Sequence, residues 1–310
     1  MARSRSRSTK GERVRPKSKA DSEFESTNPL APAMENTETP SKRQNGHTPT
    51  PLYRSAPLPP ISPQYLSGGP RSLPGIGVRA YGLGIALGLC SLLAIQLAYS
   101  EHYIWRAPFF VAALALFHYL EFDMTARFNP SDAKVDSFLL SANGSAYNVA
   151  HTMAMAEVLL RSYLYSSDKP QWLRMPVEIP AILPTVSSTG PICAGFLCII
   201  IGQYVRSAAM AKAGSSFNHL VQSTKRDDHV LVTNGIYTFS RHPSYFGFFW
   251  WGLGTQLVLG NHICFIGYAV VLWVFFAKRI QNEERFLVQF FGEDYVIYRK
   301  RTRVWIPFIR

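Results

Sequence analysis

Residues 81–100 read YGLGIALGLCSLLAIQLAYS, twenty positions without one charged side chain. About 20 apolar residues in a helix match the roughly 30 Å hydrocarbon core of a bilayer. An isolated segment in lipid satisfies its backbone only as a helix. Working outward, 108–120 is a shorter apolar run bracketed by Ala107 and Glu121, and it spans if the helix tilts. The stretch 138–165 is a third candidate that carries His151, Glu157 and Arg161. Glu157 and Arg161 are four apart, so they share a helix face and are expected to pair inside the protein. Residues 191–210 form a fourth candidate. Residues 245–259 and 262–277 are a fifth and sixth, joined as a tight hairpin by Gly260 and Asn261. The expected fold is an all-α integral membrane protein with about six transmembrane helices.

Charge is distributed to match. The 310-residue chain has 32 Lys and Arg against 20 Asp and Glu, a net charge of +12, and a mean hydropathy near zero. That average conceals two unlike parts, which excludes a single soluble globule. Residues 1–75 hold 12 of the 21 prolines and begin with a basic Arg-Ser run. They offer too little apolar surface to offset chain entropy and read as a disordered tail. No apolar stretch follows the basic start closely enough for a secretory signal. The tail is read as a solvated segment, and nucleic acid is not an expected partner. Three regions follow: the tail at 1–75, N-terminal transmembrane helices at 76–190, and a third region at 191–310 where polar residues meet membrane helices. With six spans, 28 of the 32 basic residues fall on one side. Basic loops stay in the cytosol, so both termini and the 211–244 segment are expected there. The four cysteines all sit in apolar runs, and Cys193 and Cys198 lack zinc spacing.

The chemistry is expected in 203–303. Residues 211–244 contain Asn218, His219, Gln222, His229, Tyr237, Arg241 and His242, a density suited to a polar ligand. Thr233-Asn234-Gly235 signals a turn, and Pro243 fits the first position of a following helix. Free N–H groups at that helix start would suit an anion. His219, His229 and His242 are spaced too widely for a compact metal motif, so no metal site is expected. Arg279 and Glu283 are four apart on one helix face. Spacing alone leaves open a surface ion pair or a clamp for a doubly charged reactant. The residues alone reach a cytosol-facing polar pocket on a helical membrane protein.

A resemblance carries the reading further. Ala213-Gly214-Ser215-Ser216-Phe217-Asn218-His219, the run from His229 to Val232, Gly235-Ile236-Tyr237 and Arg241-His242-Pro243-Ser244-Tyr245 closely resemble the isoprenylcysteine carboxyl methyltransferase family. The similarity continues through Gly254-Thr255-Gln256, Arg279, Glu283-Glu284 and the segment from Phe291 to Tyr295, covering roughly 200–308. It departs where Gln281 and Asn282 stand in place of common acids. The resemblance implies methyl esterification of a C-terminal prenylated cysteine carboxylate with S-adenosylmethionine. The cofactor is then expected at Gln222, His229, Val230, Leu231, Val232, Tyr237, His242, Pro243, Ser244, Tyr245 and Glu283, in a cytosol-facing C-terminal pocket. Arg279 is expected to grip the substrate carboxylate. The implied partners are C-terminally prenylated proteins, such as small GTPases and prenylated peptide pheromones, and the lipid bilayer; the implied compartment is the endoplasmic reticulum membrane. Related patterns in phospholipid N-methyltransferases and membrane sterol reductases are the alternatives.

Arg279 provides the first test. Lys would keep the charge but lose the bidentate fork. Arg279→Lys is expected to lose most methyl-ester formation on N-acetyl-S-farnesylcysteine while still binding the methyl donor, measured by turnover and donor titration on one preparation. Turnover near the parent rate would remove Arg279 from the clamp.

Overall fold

The computed structural model describes residues 61–140, 142–164 and 189–310. Within them eight α-helices follow one another: α1 (Leu73–Tyr99), α2 (Arg106–Phe128), α3 (Ser145–Leu164), α4 (Thr189–Ala213), the single turn α5 (Ile236–Phe239), α6 (Pro243–Leu259), α7 (His262–Phe291) and α8 (Glu293–Arg301). Each of the six expected spans overlaps a helix, the third, 138–165, only from Ser145 onward. Length and apolarity sufficient to cross a membrane are met by four, those at 73–99, 103–128, 189–216 and 262–291. The other two fall short for physical reasons. The α6 helix is 17 residues long, and α3 carries His151, Glu157 and Arg161 among its apolar residues. The chain is a multi-pass membrane protein.

Helix α1 starts two residues before the end of the segment read as tail. Ser72 Oγ caps it by accepting from Gly75 N at 3.1 Å, and Val135 N bonds Pro70 O at 2.8 Å. The last part of that segment is therefore bound to the body. Along α1, Val78, Tyr81, Leu89, Leu92 and Ile95 are all exposed, the face a helix turns to lipid rather than to protein.

The centre of the molecule is an antiparallel crossing of α4 and α6. Gly195 and Gly202 on α4 meet Gly254 and Gly247 on α6, crosswise and seven residues apart on each helix. A Cβ at Gly202 would lie 2.6 Å from the Gly247 carbonyl, and one at Gly254 would lie 2.7 Å from that of Gly195. Small residues let two membrane helices approach backbone to backbone, where dispersion and carbonyl contacts replace the missing hydrophobic drive.

The far end of α6 is closed by side chains. The helix stops at Gly260, whose φ of 70° is the left-handed cap that glycine adopts without penalty. Its unpaired carbonyls are met by Arg106 Nε on Val258 O at 3.0 Å and Tyr103 Oη on Leu259 O at 3.1 Å. Asn261 Nδ2 ties the expected hairpin to Ala154 O at 2.9 Å. The expected Glu157–Arg161 pair is formed at 3.2 Å. Glu157 does a second job, since its carboxylate accepts from Ile263 N and Cys264 N at 3.1 and 2.7 Å and caps α7.

Gly202→Ala is expected to lower stability by about 1–3 kcal/mol, because the new methyl must push two helix backbones apart. Thermal unfolding in detergent measures it, with Gly267→Ala, which meets nothing within 4 Å, as the comparison that should change little.

Candidate active site

Polar residues gather where the start of α6, the C-terminal half of α7 and the 214–235 segment meet. Pro243 occupies the first turn of α6 with His242 as N-cap. At this helix start Tyr245 and Phe246 N–H both reach the His242 carbonyl at 3.1 Å, and Arg206 Nη1 donates to the Ser244 hydroxyl at 2.8 Å. Its side chains reach two sides of α7.

Adjacent glutamates on α7 receive them. Successive helical residues are about 100° apart, so Glu283 and Glu284 face different partners. Buried Glu284 accepts from Arg241 Nε at 2.5 Å and lies 3.3 Å from His242 Nε2 and 3.5 Å from Arg299 Nη1. Arg241 also donates to the Thr302 carbonyl at 2.8 Å, which binds the C-terminal segment to the start of α6. Glu283 instead accepts from the Tyr245 hydroxyl at 2.5 Å, and Arg279 Nε donates to that same oxygen at 2.8 Å. Arg279 and Glu283 are therefore joined through Tyr245, and the simple surface pair allowed by their spacing is not formed. The Tyr245 and His242 rings stack at 5.4 Å and 6°.

Behind Arg279 lies a second network. Its Nη2 donates to the carbonyl of His219, whose Nε2 sits 2.9 Å from Glu121 Oε2. Glu121, fully buried on α2, is gripped by both Nε and Nη2 of Arg206 on α4, the latter at 2.7 Å. The Arg206 guanidinium also rests over Phe117 and Phe248 at 5.5 and 5.3 Å. Asp132 anchors the segment from Ser215 to His229, accepting from Asn218 Nδ2 at 3.1 Å and Arg226 Nη1 at 3.2 Å.

These elements enclose a cleft lined by His229, Val230, Leu231, Val232, Tyr237, His242, Pro243, Ser244, Tyr245 and Glu283, together with Phe291 and Tyr295. Ten of the expected site residues are thus brought together. Gln222 and Arg279 are not in the lining: Gln222 Nε2 donates to Leu220 O at 3.0 Å, and Arg279 lies one hydroxyl away behind Tyr245. The cleft holds about 100 Å³ with the 214–235 wall in this position, less than the roughly 300–1,000 Å³ of a typical ligand pocket. A nucleoside-sized ligand would need more room than this. Two features suit a polar ligand with a flat ring. Among the described residues the buried Tyr295 hydroxyl has no hydrogen-bond partner, an orphan that a ligand or water would satisfy. Burial, reinforced by Arg226, holds the His229 imidazole below its usual pKa, so it is neutral near pH 7 and open to stacking. Burial pushes the Tyr298 hydroxyl up to about 12, so it stays a donor to the Tyr237 carbonyl at 2.6 Å.

Arg241, Glu284 and Tyr295 stood in the recognised motifs without an assigned role, and Arg206, Glu121 and Tyr298 were not among the expected site residues. Of the last three, Glu121 and Arg206 gave a signal in the sequence, as ionisable residues at the margins of apolar spans.

The isoprenylcysteine carboxyl methyltransferase (ICMT) family model matches residues 195–289. The chain is 41% identical over 234 residues to a protein-S-isoprenylcysteine O-methyltransferase of Saccharomyces cerevisiae, covering 76% of this chain and 91% of the relative. It is 47% identical over 200 residues to one of Schizosaccharomyces pombe, covering 64% and 83%. The fold is similar to a solved structure of the eukaryotic intramembrane Ras methyltransferase ICMT, with a TM-score of 0.65 and 34% identity over 76% of this chain and 77% of that one.

Glu121→Gln is expected to cost about 3–5 kcal/mol, because it leaves the Arg206 guanidinium buried without its anion. Glu121→Leu combined with Arg206→Met removes both charges and should recover much of the loss. Unfolding midpoints of the three proteins in one detergent decide it; equal loss in the single and double variants would mean that packing, not charge, holds this contact.

Proposed function

Because the chain belongs to the isoprenylcysteine carboxyl methyltransferase family, we propose that the cleft carries methyl esterification of a C-terminal prenylated cysteine, with S-adenosylmethionine as the donor. The observation that carries the reading is the Tyr245 hydroxyl, held between Arg279 and Glu283 where the cleft meets the membrane helices. An anion site and a cation site stand on the two sides of one ring.

S-adenosylmethionine, when bound, supplies a methyl activated by a sulfonium. The protein groups fit such a ligand. Glu283 offers an acid to its positive charge, the run from His229 to Val232 offers an imidazole face and apolar side chains, and the Tyr295 hydroxyl offers a polar contact. Arg279 holds the substrate carboxylate. An Arg side chain has five N–H donors, and the bonds to Tyr245 and the His219 carbonyl engage only two of them. A C-terminal carboxyl has a reference pKa of about 3.3–3.7, so the nucleophile is already ionised near pH 7 and needs no general base. What the chain supplies is placement and a water-poor site. The prenyl chain enters sideways from lipid. Six spans, both termini in the cytosol and an endoplasmic reticulum membrane complete the reading, supported by the one-sided basic residues. Substrates are then prenylated proteins such as small GTPases and prenylated peptide pheromones.

Incubating membranes that contain the protein with radiolabelled S-adenosylmethionine and N-acetyl-S-farnesylcysteine tests the reading. Base-labile methyl ester is expected. Label in methylated phosphatidylethanolamine products without ester would overturn it.

Glu283→Gln keeps the shape but removes the charge. Losing a charged hydrogen-bond partner costs about 1.5–3 kcal/mol, so affinity for S-adenosylmethionine should fall roughly ten- to a hundredfold. S-adenosylhomocysteine, with an uncharged sulfur, should be affected less. Titration of both ligands against parent and variant in nanodiscs reads the difference; unchanged affinity for both would mean that Glu283 does not face the donor.

A further inference from the structure

A second cavity, of about 890 Å³, lies on the other side of Glu284 from Glu283, under the C-terminal segment 302–310. Four guanidiniums line it, those of Arg241, Arg299, Arg303 and Arg310, with the Glu284 carboxylate among them. Arg241 and Arg299 share that carboxylate. Among the described residues neither Arg303 nor Arg310 forms an ion pair. The cavity therefore has an excess of positive charge with donors left to give.

The segment above it alternates. Val304 and Ile306 are 1% and 2% exposed and join the apolar core, while Trp305 is 44% and Phe308 92% exposed. Trp305 and Phe308 both have φ near +60°, a conformation costly for bulky side chains. The chain is bent to hold these rings outward. Trp305 stacks on exposed Phe239 at 5.0 Å and 4°, with the Arg303 guanidinium 5.7 Å from its ring. The depth of the segment follows from Trp273 Nε1, which donates to the Pro307 carbonyl at 2.8 Å. Trp273 lies six residues before Arg279, about 9 Å further into the apolar half of α7. Arginines are thus at the level where polar and apolar layers meet, with indole and phenyl rings projecting beside them, as interfacial aromatics do.

We propose that this cavity binds the headgroup of an anionic glycerophospholipid, with the phosphate held by Arg303 and Arg310 and the acyl chains leaving past Trp305 and Phe308. The guanidinium fork matches phosphate oxygens in pairs, and basic pockets at the cytoplasmic ends of membrane helices suit such headgroups. A soluble anion would explain the arginines but not the exposed rings or the depth.

The test uses the full chain in nanodiscs of phosphatidylcholine with and without phosphatidic acid. Phosphatidic acid that survives extraction is counted by native mass spectrometry. Any lipid held by the basic residues at 1–19 would be common to parent and variants, so only the difference between them reports on the cavity. The double variant Arg303→Gln, Arg310→Gln should retain phosphatidic acid about tenfold more weakly. Lys300→Gln with Arg301→Gln, which removes two charges outside the cavity lining, should match the parent. Equal retention by parent and cavity variant overturns the proposal, as does equal loss in the two double variants. Inorganic phosphate that displaces the lipid at millimolar concentration overturns the lipid assignment. Arg310→Gln alone, at an exposed position, keeps the experiment decisive if the double variant does not fold, with a loss of a few-fold expected.

Discussion

The Arg206–Glu121 fork joins α2 to α4 at a level where neither water nor lipid reaches the carboxylate. Burying two charges is costly, and an apolar pair of the same volume often serves stability as well. The rest of the arrangement gives this pair a geometric meaning. Arg206 has donors left over after gripping Glu121, and they fix Ser244 at the start of α6. Glu121 has lone pairs left over after accepting from Arg206, and they fix His219. His219 in turn offers its carbonyl to Arg279. Five places in the chain, on α2, α4, the 214–235 segment, α6 and α7, are thus set relative to one another by groups that each have one preferred direction.

That network can form only because α4 and α6 are close. The crossed glycines bring the two backbones into contact, so Arg206 on α4 needs only its own length to reach both α2 and the first turn of α6. A wider crossing would put Ser244 out of range and leave the guanidinium with unspent donors in an apolar setting. The glycine seam is therefore a condition for the polar network as well as for packing.

Much of this was legible in the sequence, and what was not has identifiable causes. The spans were visible because lipid demands uninterrupted apolar length, and the hairpin because Gly260 and Asn261 leave room for nothing else. Turn and cap chemistry placed Pro243 correctly. The misreadings came from contacts that spacing cannot encode. Arg279 and Glu283 look like an i,i+4 pair until Tyr245, more than thirty residues earlier, inserts its hydroxyl between them. The contact of Ser244 with Arg206 on another helix has no sequence signature at all. Glu284 was overshadowed by its neighbour, since a one-residue step on a helix changes the partner completely. Gln222 belongs to the recognised pattern, yet here its amide folds back on Leu220.

Helix α7 is continuous for 30 residues, about 45 Å. Glu157 clasps one end of it and the two catalytic-region glutamates ride near the other. Such a rod acts as a lever: each degree of tilt about the clasped end moves the far end by about 0.8 Å. Hydrophobic mismatch is relieved in part by helix tilt. A tilt of α7 about the clasped end would therefore change the separation of Glu283 from Tyr245 on α6 without altering any side chain in the cleft.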